Sequence, residues 1–220
     1  MGKYSMEFTK YGYMKYISHL DMIRLFRNAF KKAGIRLAYT QGFNPHPKMG
    51  FASPLSLGYL SECEVVEFET NENTEPQIIC DKMAAILPAG IGIKSCCAFM
   101  SEKSLASRVL ASSYEIRMPV KERFSMSALE MCEDFLRREN IVVSKKMKKT
   151  AMIKQIDIKS MIRGLSAQGG DGEIILHAEL DSGSTANLSP ELLISAFISF
   201  FEIDVLREEI DVKRTKLFFG

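Results

Sequence analysis

The spacing of apolar positions along this chain changes repeatedly, and each change marks the end of one element and the start of the next. Leu20, Ile23, Phe26 and Phe30 recur at helical spacing with Met22, Leu25 and Ala29 beside them, which predicts an amphipathic helix. Ser18 followed by Asp21 has the form of a capping box with Asp in place of Glu, and Gly34 suits the position just past the helix end. Opposite the apolar face, Arg24, Arg27 and Lys31 form one cationic stripe. Before the helix, residues 4–9 and 13–16 read as strand on either side of Lys10-Tyr11-Gly12. After it, 37–39 reads as a short strand, and 41–48 is a stiff loop, because Pro45 and Pro47 lack a donor and restrict their predecessors. Residues 49–52 and 64–70 are strand-like, the second with Glu62, Glu64, Glu67 and Glu69 as an exposed set. A helix over 75–87, with Ile78, Ile79, Met83, Ile86 and Leu87 inward, stops at Pro88-Ala89-Gly90 before a strand over 91–99.

The second half repeats the order: strand 114–120, helix 125–139, strands 141–146 and 173–180, helix 190–201 and strand 205–218. Twice β-α-β-β-α-β predicts an α+β protein of two tandem ferredoxin-like domains with antiparallel sheets. The first spans 1–100, a linker covers 101–113, and the second spans 114–220.

Composition changes this picture little, but charge distribution changes it more. A 46% hydrophobic and 25% charged chain of 220 residues is ordinary for a globular protein. No apolar run reaches the ~18 residues of a membrane span and no signal-like segment opens the chain, so a cytoplasmic protein with no membrane association is expected. The net charge of +2 hides an imbalance. Residues 1–50 hold nine Lys or Arg against two acids, leaving twenty against twenty-five for the remainder. A one-sided basic field attracts polyanions, of which RNA is a common cytoplasmic example. Five cysteines without a C-x-x-C pair argue for reduced thiols and cannot supply the closely spaced triplet of an iron–sulfur enzyme. There is no phosphate-cradling glycine loop, H-E-x-x-H helix or G-x-S-x-G elbow.

Two stretches, YISHLDMIRLFRNAFKKAGI and YTQGFNPHPKMGFASPLSLG, resemble the radical SAM-linked protein family, a bacterial domain of unknown function found with cobalamin-binding radical SAM proteins. The resemblance covers roughly residues 11–60 and rests on the SHLD and GFNPHPK motifs. It implies a radical SAM partner and supplies no reaction.

Three functions fit these residues. The first is a non-catalytic RNA-binding or substrate-presenting accessory protein for the radical SAM partner. Arg24, Arg27, Lys31, Gln41, Asn44 and Lys48 would hold the RNA backbone, with Tyr39, Phe43 and Tyr11 stacking on bases. The second is a metal-independent endoribonuclease in which His19 and His46 divide the acid and base tasks. An early helical histidine on tandem ferredoxin-like domains is similar to the CRISPR repeat-processing endoribonucleases. The third is a protein-binding scaffold. No metal or other cofactor is expected: His19 and Asp21, two apart on a helix, diverge and cannot join His46 in one ligand set. Lys145-Lys146-Met147-Lys148-Lys149 is a lesser basic feature, and His177 reads as a structural histidine in a strand.

Overall fold

The computed structural model describes residues 1–121, 124–146, 153–170 and 172–220. The fold is α+β, divided into two units: Met1–Val109 with Phe219–Gly220, and Leu110–Phe218.

In the first unit, β1 (Gly2–Lys10) alternates strictly, turning Tyr4, Met6, Phe8 and Lys10 to the buried face. The chain then coils through a 3-10 turn, Gly12–Tyr16, where a second strand segment was expected. Tyr11 N–H is held by the Gly90 carbonyl at 2.7 Å and Gly12 takes φ +56, so the backbone leaves the sheet direction at once. Helix α1 (His19–Lys32) follows, then β2 (Met49–Phe51), β3 (Leu60–Thr70), α2 (Pro76–Ile86), β4 (Ile91–Ala98) and the short α3 (Leu105–Arg108). The strands lie in the order β4-β1-β3, with β2 on β3, and each of these pairings is antiparallel.

One face of this sheet carries α1 and the aromatic core. Phe26 stands 4.8 Å from Phe8 and 5.4 Å from Phe51, and Phe30 stands 4.6 Å from Phe68, in tilted and edge-on contacts. Helix α1 buries Met22, Phe26, Ala29 and Phe30, a stripe that leaves Leu20 on the surface. In α2 only Ile79 and Met83 are fully buried, and Ile78 and Ile86 face outward. The expected row of exposed glutamates is broken at Glu64, which is 4% exposed. Glu64 pairs in register with Phe8 and shares the alternation of Val66 and Phe68, so it lies on the core side; the register shift beyond it, between Phe8 and Lys10, is what buries Cys63 and Ser61 as well.

The second unit contains β5 (Val109–Pro119), α4 (Ala128–Arg137), β6 (Val142–Lys146), β7 (Ile153–Asp157), β8 (Ile162–Gly170), β9 (Glu173–Asp181), α5 (Pro190–Phe201) and β10 (Asp211–Phe219). Its strand order is β10-β5-β9-β8. Residues 141–146 do not join this sheet as expected: β6 pairs with β7 in a separate two-stranded ribbon, and β8 takes the place beside β9. With the ribbon set aside, both units share one spatial order, fourth strand, first, third, second. α3 and the start of β5 occupy the stretch expected as a linker. Around α5 the core is again aromatic, with Phe135 at 5.3 Å from Phe197.

Candidate nucleic-acid interface

Helix α1 sets the geometry of the first unit, and its two ends carry different chemistry. At its start the Ser18 hydroxyl accepts from Asp21 N–H at 3.2 Å and donates to the Asp21 carboxylate at 2.7 Å. That hydroxyl and the Arg24 guanidinium hold the Asp21 carboxyl below its usual range. Arg24, bonded to Asp21 at 3.0 Å, is therefore partly neutralised where an open cation was expected. His19 packs edge-on against Phe51, ring centroids 5.5 Å apart.

Beside His19 is a small cavity of about 20 Å³, lined by Lys10, Ser18, His19, Glu64, Phe8 and Phe51 among others. It has room for about one water. Lys10 and Glu64 are 3% and 4% exposed and are the two charged groups that sequence reasoning missed. Alternation in β1 did place Lys10 on the same face as Tyr4, Met6 and Phe8, a signal that was available.

The other end of α1 is basic. The helix closes with Gly34 at φ +70; Gly34 N–H reaches the Lys31 carbonyl at 3.2 Å and Ile35 N–H the Phe30 carbonyl at 2.9 Å, a Schellman arrangement. This turn brings Arg36 and Tyr39 back beside the last two turns of the helix. Arg27, Lys31, Arg36 and Tyr39, with Asn28 and Asn71, line an open groove of about 740 Å³. The Tyr39 ring is 50% exposed. Arg27, Lys31 and Arg36 are all exposed. Arg36 was not among the expected contacts, because it lies past the helix end where no periodicity connects it to the stripe.

The loop that follows is pinned at its neck. Thr40 N–H donates to the His46 carbonyl at 2.8 Å, and His46 N–H donates to the Thr40 hydroxyl at 3.0 Å. Gln41, Phe43 and Asn44 stand on the exposed tip, with Gly42 at φ +126 and the Phe43 ring fully in solvent. Lys48 is instead tied to Glu69 at 2.7 Å, which removes it from the set of open cations.

The two motif histidines do not converge. Phe51, against which His19 packs, is level with Val66 on β3, whereas the Lys48 carbonyl accepts from Glu69 N–H at 2.9 Å. Lys48 is thus three strand positions from Phe51, about 10 Å at ~3.3 Å per residue, and His46 lies beyond it on the exposed loop. An acid and a base must each come within about 3 Å of the proton they move. In the second unit, His177 is exposed on β9 with Nε2 at 3.2 Å from the Gln168 side-chain nitrogen. Of the lysine run at 145–149, all the side chains lie outside the described residues. Among the described residues no group of three potential ligands gathers for a metal, and no helix is long and apolar enough to cross a membrane.

Residues 3–190 match a family described as an uncharacterized protein conserved in bacteria, DUF2344. That description names no radical SAM protein or other partner. No curated protein matches the chain in sequence. A chain in the crystal structure of a Cbf5-Nop10-Gar1 complex is similar at TM-score 0.56 and 7% identity, the likeness covering 97% of the present chain and 48% of that one. The present chain thus spans about half that chain's length, and the likeness is one of fold alone. An unknown protein from Galdieria sulphuraria aligns over 97% of this chain and 98% of its own at 11% identity, with a TM-score of 0.29.

Proposed function

The chain belongs to the bacterial DUF2344 family, and we propose that it is a non-catalytic RNA-binding or substrate-presenting accessory protein that works with a radical SAM partner. The observation that carries this reading is the groove at the end of α1, where Arg27, Lys31 and Arg36 stand in solvent around the half-exposed ring of Tyr39. Spaced cations with an exposed aromatic suit single-stranded RNA, phosphates on the charges and a base on the ring. Phe43, Gln41 and Asn44, exposed on the loop that follows Tyr39, offer further contacts. The matching strand orders support reading both units as ferredoxin-like repeats, with the ribbon as an insertion in the second. The separation of His19 from His46 favours binding over cleavage.

A scaffold reading has one observation of its own. Tyr13, Tyr16, Leu20 and Leu57 are each more than 60% exposed, and the Gly58 N–H bond to the Lys15 carbonyl draws their segments together. Fluorescence anisotropy with a labelled single-stranded RNA across a salt series separates the two. Replacing Arg27, Lys31 and Arg36 by Ala should weaken binding and lower the salt slope by about two, given ~0.7 per phosphate on a single strand. An unchanged slope and affinity, or no RNA binding by the wild type, would leave the scaffold.

A further inference from the structure

We propose that the open edge of β8, with the strip of α4 beside it, pairs with the same surface on a second copy of the chain. In the second unit β8 is the last strand: β9 lies on one side and no described strand on the other. One row of its backbone N–H and C=O groups faces outward, and an extended main chain is what satisfies such a row. Edges that must stay single are commonly guarded by lysine, proline or a charge. β4, at the end of the first unit's order, carries such a guard in Lys94, which pairs with Glu7 at 2.7 Å. On β8 the one charge, Arg163, is likewise held by a carboxylate, Asp181 at 2.6 Å, but it stands at the first end of the strand where Lys94 stands in mid-strand. The remainder, Gly164-Leu165-Ser166-Ala167-Gln168-Gly169-Gly170, has neither charge nor proline.

The flank of this edge is apolar. α4 sits so close to β8 that a Cβ on Gly169 would fall 3.1 Å from the Ala128 Cβ. A groove of about 510 Å³ runs here, with Phe124, Met126, Leu129 and Ala167 in its walls. Leu129 is 52% and Met126 37% exposed.

Edge and strip together call for an extended strand with apolar groups on one side, and neutrality selects a second copy. In a twofold pairing each residue near the axis meets its own twin, so a charged strand would repel itself. Residues 164–170 lie antiparallel against themselves with no like charges opposed. The same axis sets both apolar strips on one side of the joined sheet, where each covers the other.

Sedimentation velocity on the full chain tests this. At about 100 µM the wild type should sediment at twice the chain mass, returning to the single mass on dilution. Leu129→Glu and Ser166→Lys, both at exposed positions, should each raise the dissociation constant at least tenfold. Hydrogen exchange on the wild type needs no variant: β8 amides should exchange slowly when concentrated and fast when dilute. A wild type of single-chain mass at the highest concentration, a dimer that both variants leave intact, or β8 exchange independent of concentration would each overturn the proposal. So would β8 amides slowed only by a different protein, since the edge would then serve a foreign strand.

Discussion

Cys97 and Cys132 differ in what surrounds their sulfur atoms, and that difference has a chemical readout. Cys132 lies in the core against α4's neighbours, and burial pushes its thiol up to about 12; the same cause, with Cys80 and Cys97 nearby, takes Cys96 to about 12. At pH 8 a thiol of that kind is ionised about once in ten thousand molecules. Cys97 is exposed. Iodoacetamide at pH 8 should therefore label Cys97 first and leave Cys96 and Cys132 at least a hundredfold slower, as read by peptide mass mapping. A second prediction concerns Ser127 and Glu130, which cap α4 reciprocally: Glu130 accepts from Ser127 N–H at 2.7 Å, and that bond leads in holding its carboxyl below the ordinary range. A depressed carboxylate contributes stability above its unfolded pKa and loses it as pH falls through the folded one. Ser127→Ala should cost about 1 kcal/mol near neutrality through the lost cap, and Glu130→Gln should flatten the loss of stability on acidification below about pH 4, both measured by chemical denaturation. At this scale the sequence was informative wherever a cap or a stripe follows from local spacing, as at Ser18 and Gly34. It misjudged Lys10 and Glu64, whose alternation with Tyr4, Met6 and Phe8 and with Val66 and Phe68 was readable, because their charge argued for solvent against that pattern.

Helix α1 shows how an element's end can matter as much as its face. Gly34 takes φ +70 to close the helix, and the turn it permits sets Arg36 and Tyr39 beside Arg27 and Lys31. An L residue with a Cβ in that conformation costs roughly 1–2 kcal/mol. Gly34→Ala should lower the melting temperature by several degrees and weaken RNA binding more than stability, since the groove depends on the turn; calorimetry and anisotropy on one preparation compare the two. Helices were legible because caps and a 3.6-residue period are local signals: α5 begins and ends where the sequence placed it. β8 was not legible. Its Gly-rich, weakly alternating run has a single β-branched residue, Ile162, and it is held by its ladder with β9. β6 was legible as a strand but not as half of a separate ribbon, because partner choice is a long-range property.

For the molecule as a whole, the imbalance of charge bears on kinetics as well as affinity. With most of the net positive charge in residues 1–50, association with RNA should slow steeply as ionic strength rises, while dissociation changes less. Stopped-flow measurements across a salt series check this. The purified chain in metal-free buffer should leave short RNAs uncut over hours; cleavage abolished by His19→Ala or His46→Ala would make this a ribonuclease instead. The helix and strand order of the first unit was readable from the sequence, and so was the basic start of the chain, whereas in the second unit β7 and β8 were missed and the ribbon strand β6 stood in for β8. The convergence of Arg36 and Tyr39 on the Arg27 and Lys31 stripe was not readable, because these two lie past the Gly34 turn and no periodicity relates them to the helix face. The pinned neck at Thr40 and His46 carries one more consequence. A loop whose ends are already fastened to each other makes its interior an exchangeable cassette, and doubling such a loop costs only about 0.6 kcal/mol of closure entropy. A short epitope or fluorophore-bearing insert between Phe43 and Asn44 would thus report on whatever docks at that tip while leaving the aromatic core beneath untouched.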